Sequence, residues 1–314
     1  MQNALLPPGF YDVLPPDAEK QASAIEALMA HFKAAKYQRV NAPLMEFEEA
    51  LLSGPGASLN ASTFRVMDPL SQRMMGLRTD HTLQIGRIAS ARMGDMPRPL
   101  RLSYAGPVIA VDSGSKDGPR QKTQVGVELI GSMDVGSDAE VIKLAATALK
   151  ALGIKDVSVD LLLPTLVPAL AKDAGLNADK QKALHNALDR KDEGAVMGLG
   201  KEPVFEAAVA LLRAGGAADK ALAALDKLKL ENGAAADRDR LKKTLELLGK
   251  DFPAAITVDL VETRCFEYQT GLSFALYSKQ AGDVLARGGR YRTQSDEPAT
   301  GFTFYIETLA PVLP

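Results

Sequence analysis

The sequence has little of several things, and each shortage narrows the reading. There is one cysteine, Cys265, in 314 residues. It can form neither an internal disulfide nor a thiolate metal site, which fits a reducing compartment. The three histidines are scattered, so no zinc-binding spacing can be assembled and no metal or other cofactor is called for. Charge of one sign is missing too. The 37 basic and 39 acidic residues leave a net charge of −2, so nucleic acid would need a local patch rather than a global field. No apolar run approaches the length of a membrane span. The opening stretch, "MQNALLPPGFYDVLPP", has no basic segment and is interrupted by prolines, which is unlike a secretory signal. The chain is therefore read as cytoplasmic, with no membrane partner. No Ser-His-Asp or Cys-His arrangement can be argued, and Cys265 reads as a buried structural thiol.

What is present is globular: 46% hydrophobic and 24% charged residues, enough to bury a core. "LPPDAEKQASAIEALMAHFKAAKY" predicts a helix. Asp17 is in place to cap it, and Ile25, Leu28, Met29 and Phe32 form its apolar stripe. A short strand follows, then a hairpin around "DPLSQ" and a helix over about 80–92. "LRLSYAGPVIAVD" and "KTQVGVELIG" read as strands flanking a Gly/Ser/Lys loop. Ser137 and Glu140 suggest a capping box for the next helix, and "DVSVDLL" alternates as a strand. Residues 164–250 are rich in Ala, Leu, Lys and Asp at helical spacing and read as a helical insertion. Residues 1–163 and 251–314 form the core domain. Strands and helices interleave without regular alternation, so the fold class is α+β with an antiparallel sheet.

Three stretches could carry chemistry. In "KTQVGVELI", alternation sets Gln124, Gly126 and Glu128 on one face and Thr123, Val125, Val127 and Leu129 on the core face. A glycine inside a strand marks close approach by a ligand or by another backbone. An ordinary solvent-facing strand is the competing reading. "GLRTDHTLQIGR" sets Asp80 and Thr82 at a helix start, where they cap it or face a ligand ammonium; His81 reads as a surface or packing histidine. "ARGGRY" brings two glycines before Arg290 and Tyr291. It is not a nucleotide-binding glycine loop, and it suits a bulge, a tight turn or room for a small molecule.

Taken in order, "LPPGFYDVLPPDA", "LRTDHTLQIGR", "YAGPV…QVGVELIG…DAEVI", "RCFEYQTGLSF", "ARGGRY" and "GFTFYIETL" resemble the catalytic domain of histidyl-tRNA synthetases, a class II aminoacyl-tRNA synthetase family. The resemblance covers nearly the whole chain. It implies a class II-type antiparallel sheet flanked by helices. It also implies a histidine pocket built from Asp80, Thr82, Gln124, Glu128, Arg264, Tyr268 and Tyr291. Asp80 stands where the synthetases carry glutamate, and Gln269 replaces the second tyrosine of their tyrosine pair.

The same resemblance marks what is missing. "YAGPVIAVD" contains no arginine. In the synthetases this strand continues to an ATP-binding arginine and glutamate; here those positions are Ala110 and Asp112. The final motif reads Glu307-Thr308-Leu309, with Thr308 in place of a triphosphate-clamping arginine. Adenylation builds negative charge on phosphorus and needs fixed cations, which alanine and threonine cannot supply. No catalytic residue is assigned. With the chain ending at Pro314, no anticodon-binding domain and no tRNA partner are expected.

A histidine pocket without an ATP site is similar to the regulatory-subunit family of ATP phosphoribosyltransferase. That similarity implies a non-catalytic dimer that binds free histidine. It would assemble with the short-form catalytic subunit into a hetero-octamer, at the first step of histidine biosynthesis. Two alternatives stay open: a stand-alone histidine sensor with another partner, and an aminoacyl ligase with an altered ATP site.

Overall fold

The computed structural model describes residues 6–112, 118–262 and 269–314. The strands in chain order are β1 (Gln38–Arg39), β2 (Met45–Phe47), β3 (Arg65–Met67), β4 (Met74–Leu77), β5 (Leu100–Ile109) and β6 (Gln121–Ile130). They continue with β7 (Val157–Leu162), β8 (Gly216–Ala217), β9 (Ala255–Asp259), β10 (Gln269–Ser278), β11 (Ala286–Arg292) and β12 (Pro298–Tyr305). The helices are α1 (Asp17–Ala34), α2 (Glu48–Leu51), α3 (Thr82–Ala91), α4 (Val135–Ala151), α5 (Leu166–Asp173) and α6 (Ala178–Asp189). After them come α7 (Glu193–Met197), α8 (Pro203–Ala214), α9 (Ala218–Lys227), α10 (Asn232–Leu248) and α11 (Ile306–Leu309). Among the described residues no helix is long and apolar enough to cross a membrane.

The chain divides into two compact units. The first holds residues up to Ser132, Ala151–Ile154 and Arg292–Pro314; the second holds Met133–Lys150 and Lys155–Tyr291.

In the first unit the strand order is β1-β5-β6-β12. β5, β6 and β12 pair antiparallel, whereas the two residues of β1 run parallel to β5. One face carries Val125, Val127, Leu129, Phe302 and Phe304, all buried. Helix α1 covers it. Leu28 and Phe32 are buried, and the Phe32 and Phe302 rings meet edge-on at 5.7 Å. The predicted apolar stripe of α1 is thus real, but its cap is not. Asp17 is the first helical residue, Pro16 precedes it, and no side chain caps the helix. A separate sheet, β2-β4-β3, joins the segment before α3 to the hairpin turn. In that turn Asp68 accepts the N–H groups of Leu70 and Ser71, so "DPLSQ" folds as its composition implies.

In the second unit the order is β11-β10-β7-β9-β8, with β7 and β9 parallel and the other pairs antiparallel. Residues 164–250 supply α5 to α10 and also the short strand β8, which adds an edge to β9. Helix α4 starts at Val135, two residues before the expected capping box. Ser137 is buried inside its first turn, where its N–H meets the Asp134 carbonyl.

Candidate functional site

The opposite face of the first unit's sheet carries polar side chains, and most of them are buried. Gln124 and Glu128 are 0% and 2% exposed, so the solvent-facing reading of β6 is wrong. The register explains how such side chains fit. Leu102, Glu128 and Gly301 form one row across β5, β6 and β12; Tyr104, Gly126 and Thr303 form the next; Gly106, Gln124 and Tyr305 form the third. Every row contains one glycine, and a polar group fills the space each leaves. A Cβ at Gly301 would collide with the Glu128 carboxylate. One at Gly126 would lie 2.5 Å from the Tyr104 hydroxyl. One at Gly106 would lie 2.7 Å from Arg78 Nη2 and 3.2 Å from His81 Nε2. The close approach predicted at Gly126 is therefore made by Tyr104 and by the Phe302 carbonyl.

Helix α3 and the residues just before it close over these rows. Just ahead of α3, whose N-cap position is His81 and carries no side-chain cap, Asp80 Oδ1 accepts the N–H of Thr82 at 2.7 Å. Its other oxygen, Oδ2, accepts from Gln124 Nε2 at 2.7 Å. Gln124 Nε2 also lies 3.2 Å from the Tyr305 hydroxyl, while Gln124 Oε1 accepts the His81 N–H at 3.0 Å. The Thr82 hydroxyl donates to Glu128 Oε1 at 3.0 Å. The Tyr104 hydroxyl lies 3.4 Å from that oxygen and 2.7 Å from Thr303 Oγ1. Four of the predicted site residues, Asp80, Thr82, Gln124 and Glu128, are thus brought together in one hydrogen-bonded cluster.

Sequence reasoning missed the groups that complete it. His81 is buried, and its ring stacks on Tyr104 with centroids 4.8 Å apart. Burial and the neighbouring Arg78 guanidinium lower its pKa to about 4, against the opposing pull of the Gln124 hydrogen bond and Asp80. Burial, with the Glu128 and Asp80 charges, raises the Tyr104 phenol well above its usual value, so it remains a neutral donor. Arg78 gives Nε to the Pro107 carbonyl at 2.7 Å and Nη1 to the Ala42 carbonyl at 2.9 Å. The sign available in the sequence was the recurrence of glycine in β5, β6 and β12, but only the register turns three glycines into three spaces.

The remaining predicted residues are placed differently. Arg264 and Tyr268, like Cys265, lie outside the described residues. Tyr291 is buried on β11 in the second unit, opposite Gln269 in register. In the same motif Gly289 has φ +148°, and its missing side chain leaves room for Ser273 of β10. The pairing of β10 with β11 shifts register between Gln269 and Ser273, so the local irregularity is structural. Arg290 reaches Asp138 at 2.7 Å in a buried cluster that also includes Arg240, 2.6 Å from the same carboxylate.

Ala110, Asp112 and Thr308, the positions that the resemblance reads as degenerate ATP contacts, belong to the first unit. Ala110 follows β5 and exchanges backbone contact with Arg120, its N–H reaching the Arg120 carbonyl at 2.8 Å. The Arg120 guanidinium lies over the rings of Phe64 and Phe10, at 4.7 and 5.4 Å. Asp112 is exposed. Thr308 is half-buried on α11, beside Glu307, whose two oxygens accept the Thr123 N–H at 2.8 and 2.9 Å. Among the described residues no group of three acidic, histidine or cysteine side chains could hold a metal ion.

The site can take a positively charged, hydrogen-bond-donating group. Asp80, half-buried, and Glu128, buried, gather amide and hydroxyl donors, and a carboxylate removed from water gains most from a cation brought to it. A profile of the histidyl-tRNA synthetase family matches residues 9–309. The chain is 51% identical over 314 residues to the ATP phosphoribosyltransferase regulatory subunit of Paramagnetospirillum magneticum, covering 99% of this chain and 82% of that protein. It is 50% identical to the protein of the same description from Rhodospirillum centenum, covering 99% and 81%. A solved structure described as an ATP phosphoribosyltransferase regulatory subunit/histidyl-tRNA synthetase from Bacillus halodurans superposes with a TM-score of 0.88 at 26% identity, covering 99% of this chain and 84% of that one.

Proposed function

Because the chain belongs to the histidyl-tRNA synthetase-like family of ATP phosphoribosyltransferase regulatory subunits, we propose that its Asp80–Gln124–Glu128 cluster binds free histidine and relays feedback to a catalytic partner. The chain is the regulatory member of that pair, and phosphoribosyl transfer belongs to the partner. The observation that carries the histidine reading is the buried polar face. Asp80 and Glu128 are held by Gln124 and Thr82, and their carboxylate oxygens suit an α-ammonium or an imidazole N–H. Gln124 serves this reading by holding Asp80. Arg264, Tyr268 and Tyr291 are assigned to the same ligand by their place in the family motifs. Ala110, Asp112 and Thr308 supply no phosphate clamp, which supports a subunit that binds its amino acid without activating it and has no tRNA to charge.

The partner is the short-form catalytic subunit, in a hetero-octamer built on dimers of this chain, in the cytoplasm. The small sheet supports self-association: Met45, Phe47, Val66, Met75 and Leu77 share one face of β2-β4-β3, and Val66 is 46% exposed. Val66→Glu should shift the mass measured by light scattering from dimer to monomer. An unchanged dimer would move the interface elsewhere.

The functional test is reconstitution. Adding this chain to the short catalytic subunit should raise phosphoribosyl transfer, and histidine should then lower it. Histidine can do so only by binding the low-activity arrangement more tightly than the active one. Glu128→Ala should remove the histidine response and leave activation by assembly. Loss of activation with full histidine sensitivity would reverse the assignment of pocket and interface. Failure to associate would favour a stand-alone histidine sensor, and histidine-dependent ATP–pyrophosphate exchange would favour a ligase.

A further inference from the structure

We propose that His81 is a positioning residue for this site: with its proton on Nδ1, its imidazole adds a second donor to the side-chain amide of Gln124 and so steadies the Asp80 carboxylate that the amide holds. For the identity of the ligand this rests on the histidine reading above; for the geometry it does not.

The amide of Gln124 has two possible orientations, and its surroundings permit one. The backbone N–H of His81 can only donate, and it points at Gln124 Oε1 from 3.0 Å. Asp80 Oδ2 lies 2.7 Å from Gln124 Nε2 and accepts there. Turning the amide over would set its oxygen against the Asp80 carboxylate and its NH₂ against the His81 N–H, two repulsive contacts in a buried place. With Oε1 fixed as an acceptor, the ring nitrogen His81 Nδ1, also 3.0 Å from it, has to donate. The proton therefore sits on Nδ1, and Nε2 carries a lone pair.

The groups around the ring favour this neutral form. Arg78 approaches from the segment after β4, Asp80 adjoins it in the chain, Tyr104 stacks on it from β5, and Gln124 faces it from β6. Nε2 and Arg78 Nη2 both border the space above Gly106, and the guanidinium charge disfavours a second proton on the ring. The opposing Asp80 charge is already engaged by Thr82 and Gln124.

The functional consequence concerns polarity. Gln124 donates toward Asp80 and Tyr305 and accepts twice from His81, so its amide is fully used by the protein. A ligand entering the cluster meets carboxylate oxygens of Asp80 and Glu128 instead. His81 thereby sets the site for a donor-rich, cationic head group. Without the Nδ1–H, Oε1 keeps the backbone N–H of His81 as its donor, and the amide, and through it Asp80 Oδ2, is held by one hydrogen bond fewer.

The experiment is nitrogen-detected NMR of the histidine side chains in the full chain, combined with calorimetry of histidine binding. The chain has three histidines, so the His81→Phe variant identifies the His81 signals. The Nδ1–H tautomer should be observed and should persist from neutral pH down to about pH 5. His81→Phe keeps the ring on Tyr104 and loses the donor; histidine affinity should fall by about fivefold or more. In His81→Asn an amide nitrogen stands near the Nδ1 position, and most of the affinity should return. An Nε2–H tautomer, titration near neutrality, or wild-type affinity in His81→Phe would overturn the proposal. If the wild-type chain binds no histidine, the ligand assignment fails, and the tautomer still decides the role of His81.

Discussion

The two faces of the first unit's sheet are built from alternate residues of the same strands, and they obey different rules. Toward α1 the strands present Val125, Val127, Leu129, Phe302 and Phe304; toward α3 they present Tyr104, Gln124, Glu128, Thr303 and Tyr305. The first is buried throughout; in the second Tyr104, Gln124, Glu128 and Thr303 are buried and Tyr305 is half-buried. The apolar face needs only volume and shape, and its contacts are individually weak and interchangeable. The polar face needs each donor matched to an acceptor, because an unmatched buried polar group costs about 1–3 kcal/mol. It meets that demand with three glycines, each making room for a neighbour's polar atoms. Stability is concentrated on one face, and a defined pattern of donors and acceptors on the other.

Substitutions should separate these roles. Phe32→Ala empties a fully buried ring site against Phe302 and should cost about 4 kcal/mol in urea unfolding, with histidine affinity of the folded fraction unchanged. Gly126→Ala drives a methyl group into the Tyr104 hydroxyl and the Phe302 carbonyl. It should cost about 2–3 kcal/mol and also weaken histidine binding, since Tyr104 supports both His81 and Glu128. Glu128→Ala should reduce histidine affinity by about tenfold or more in calorimetry, the equivalent of losing a charge-assisted hydrogen bond. Its thermal midpoint should move less than that of Phe32→Ala; a larger shift would assign Glu128 to the core. The smallest effect is expected at the other end of these strands. Ala110→Arg combined with Thr308→Arg should produce no ATP–pyrophosphate exchange above background. Two guanidinium groups do not rebuild a phosphate site in which Asp112 and the loop after it also differ. Appearance of exchange would show that the polar cluster is already arranged for adenylation.

Legibility in the sequence followed the range of the interaction. The stripe Leu28, Met29 and Phe32 gave α1, and alternation in β6 separated Gln124 and Glu128 from Val125 and Val127, because these patterns are local. Caps were less legible. Asp17 and Ser137 are good capping residues in the wrong register, each lying inside the helix it was expected to start. Residue type at the start of α3 left Asp80 and Thr82 as caps or as ligand-facing groups, and the family motifs imply the second. His81 was legible as a packing residue, but not as the partner of Gln124, since 43 residues separate them in the chain.

The sequence by itself determined the α+β class and the helical character of residues 164–250. Each of these depends on residue type or on spacing within one element. Tertiary structure alone decided that the Gln124–Glu128 face of β6 is dry, that Tyr104 fills the space of Gly126, and that His81 turns its Nδ1 to Gln124. Those outcomes depend on the register among β5, β6 and β12 and on where α3 lands. Register is fixed by the sum of many cross-strand contacts, and no single segment of the chain carries that sum.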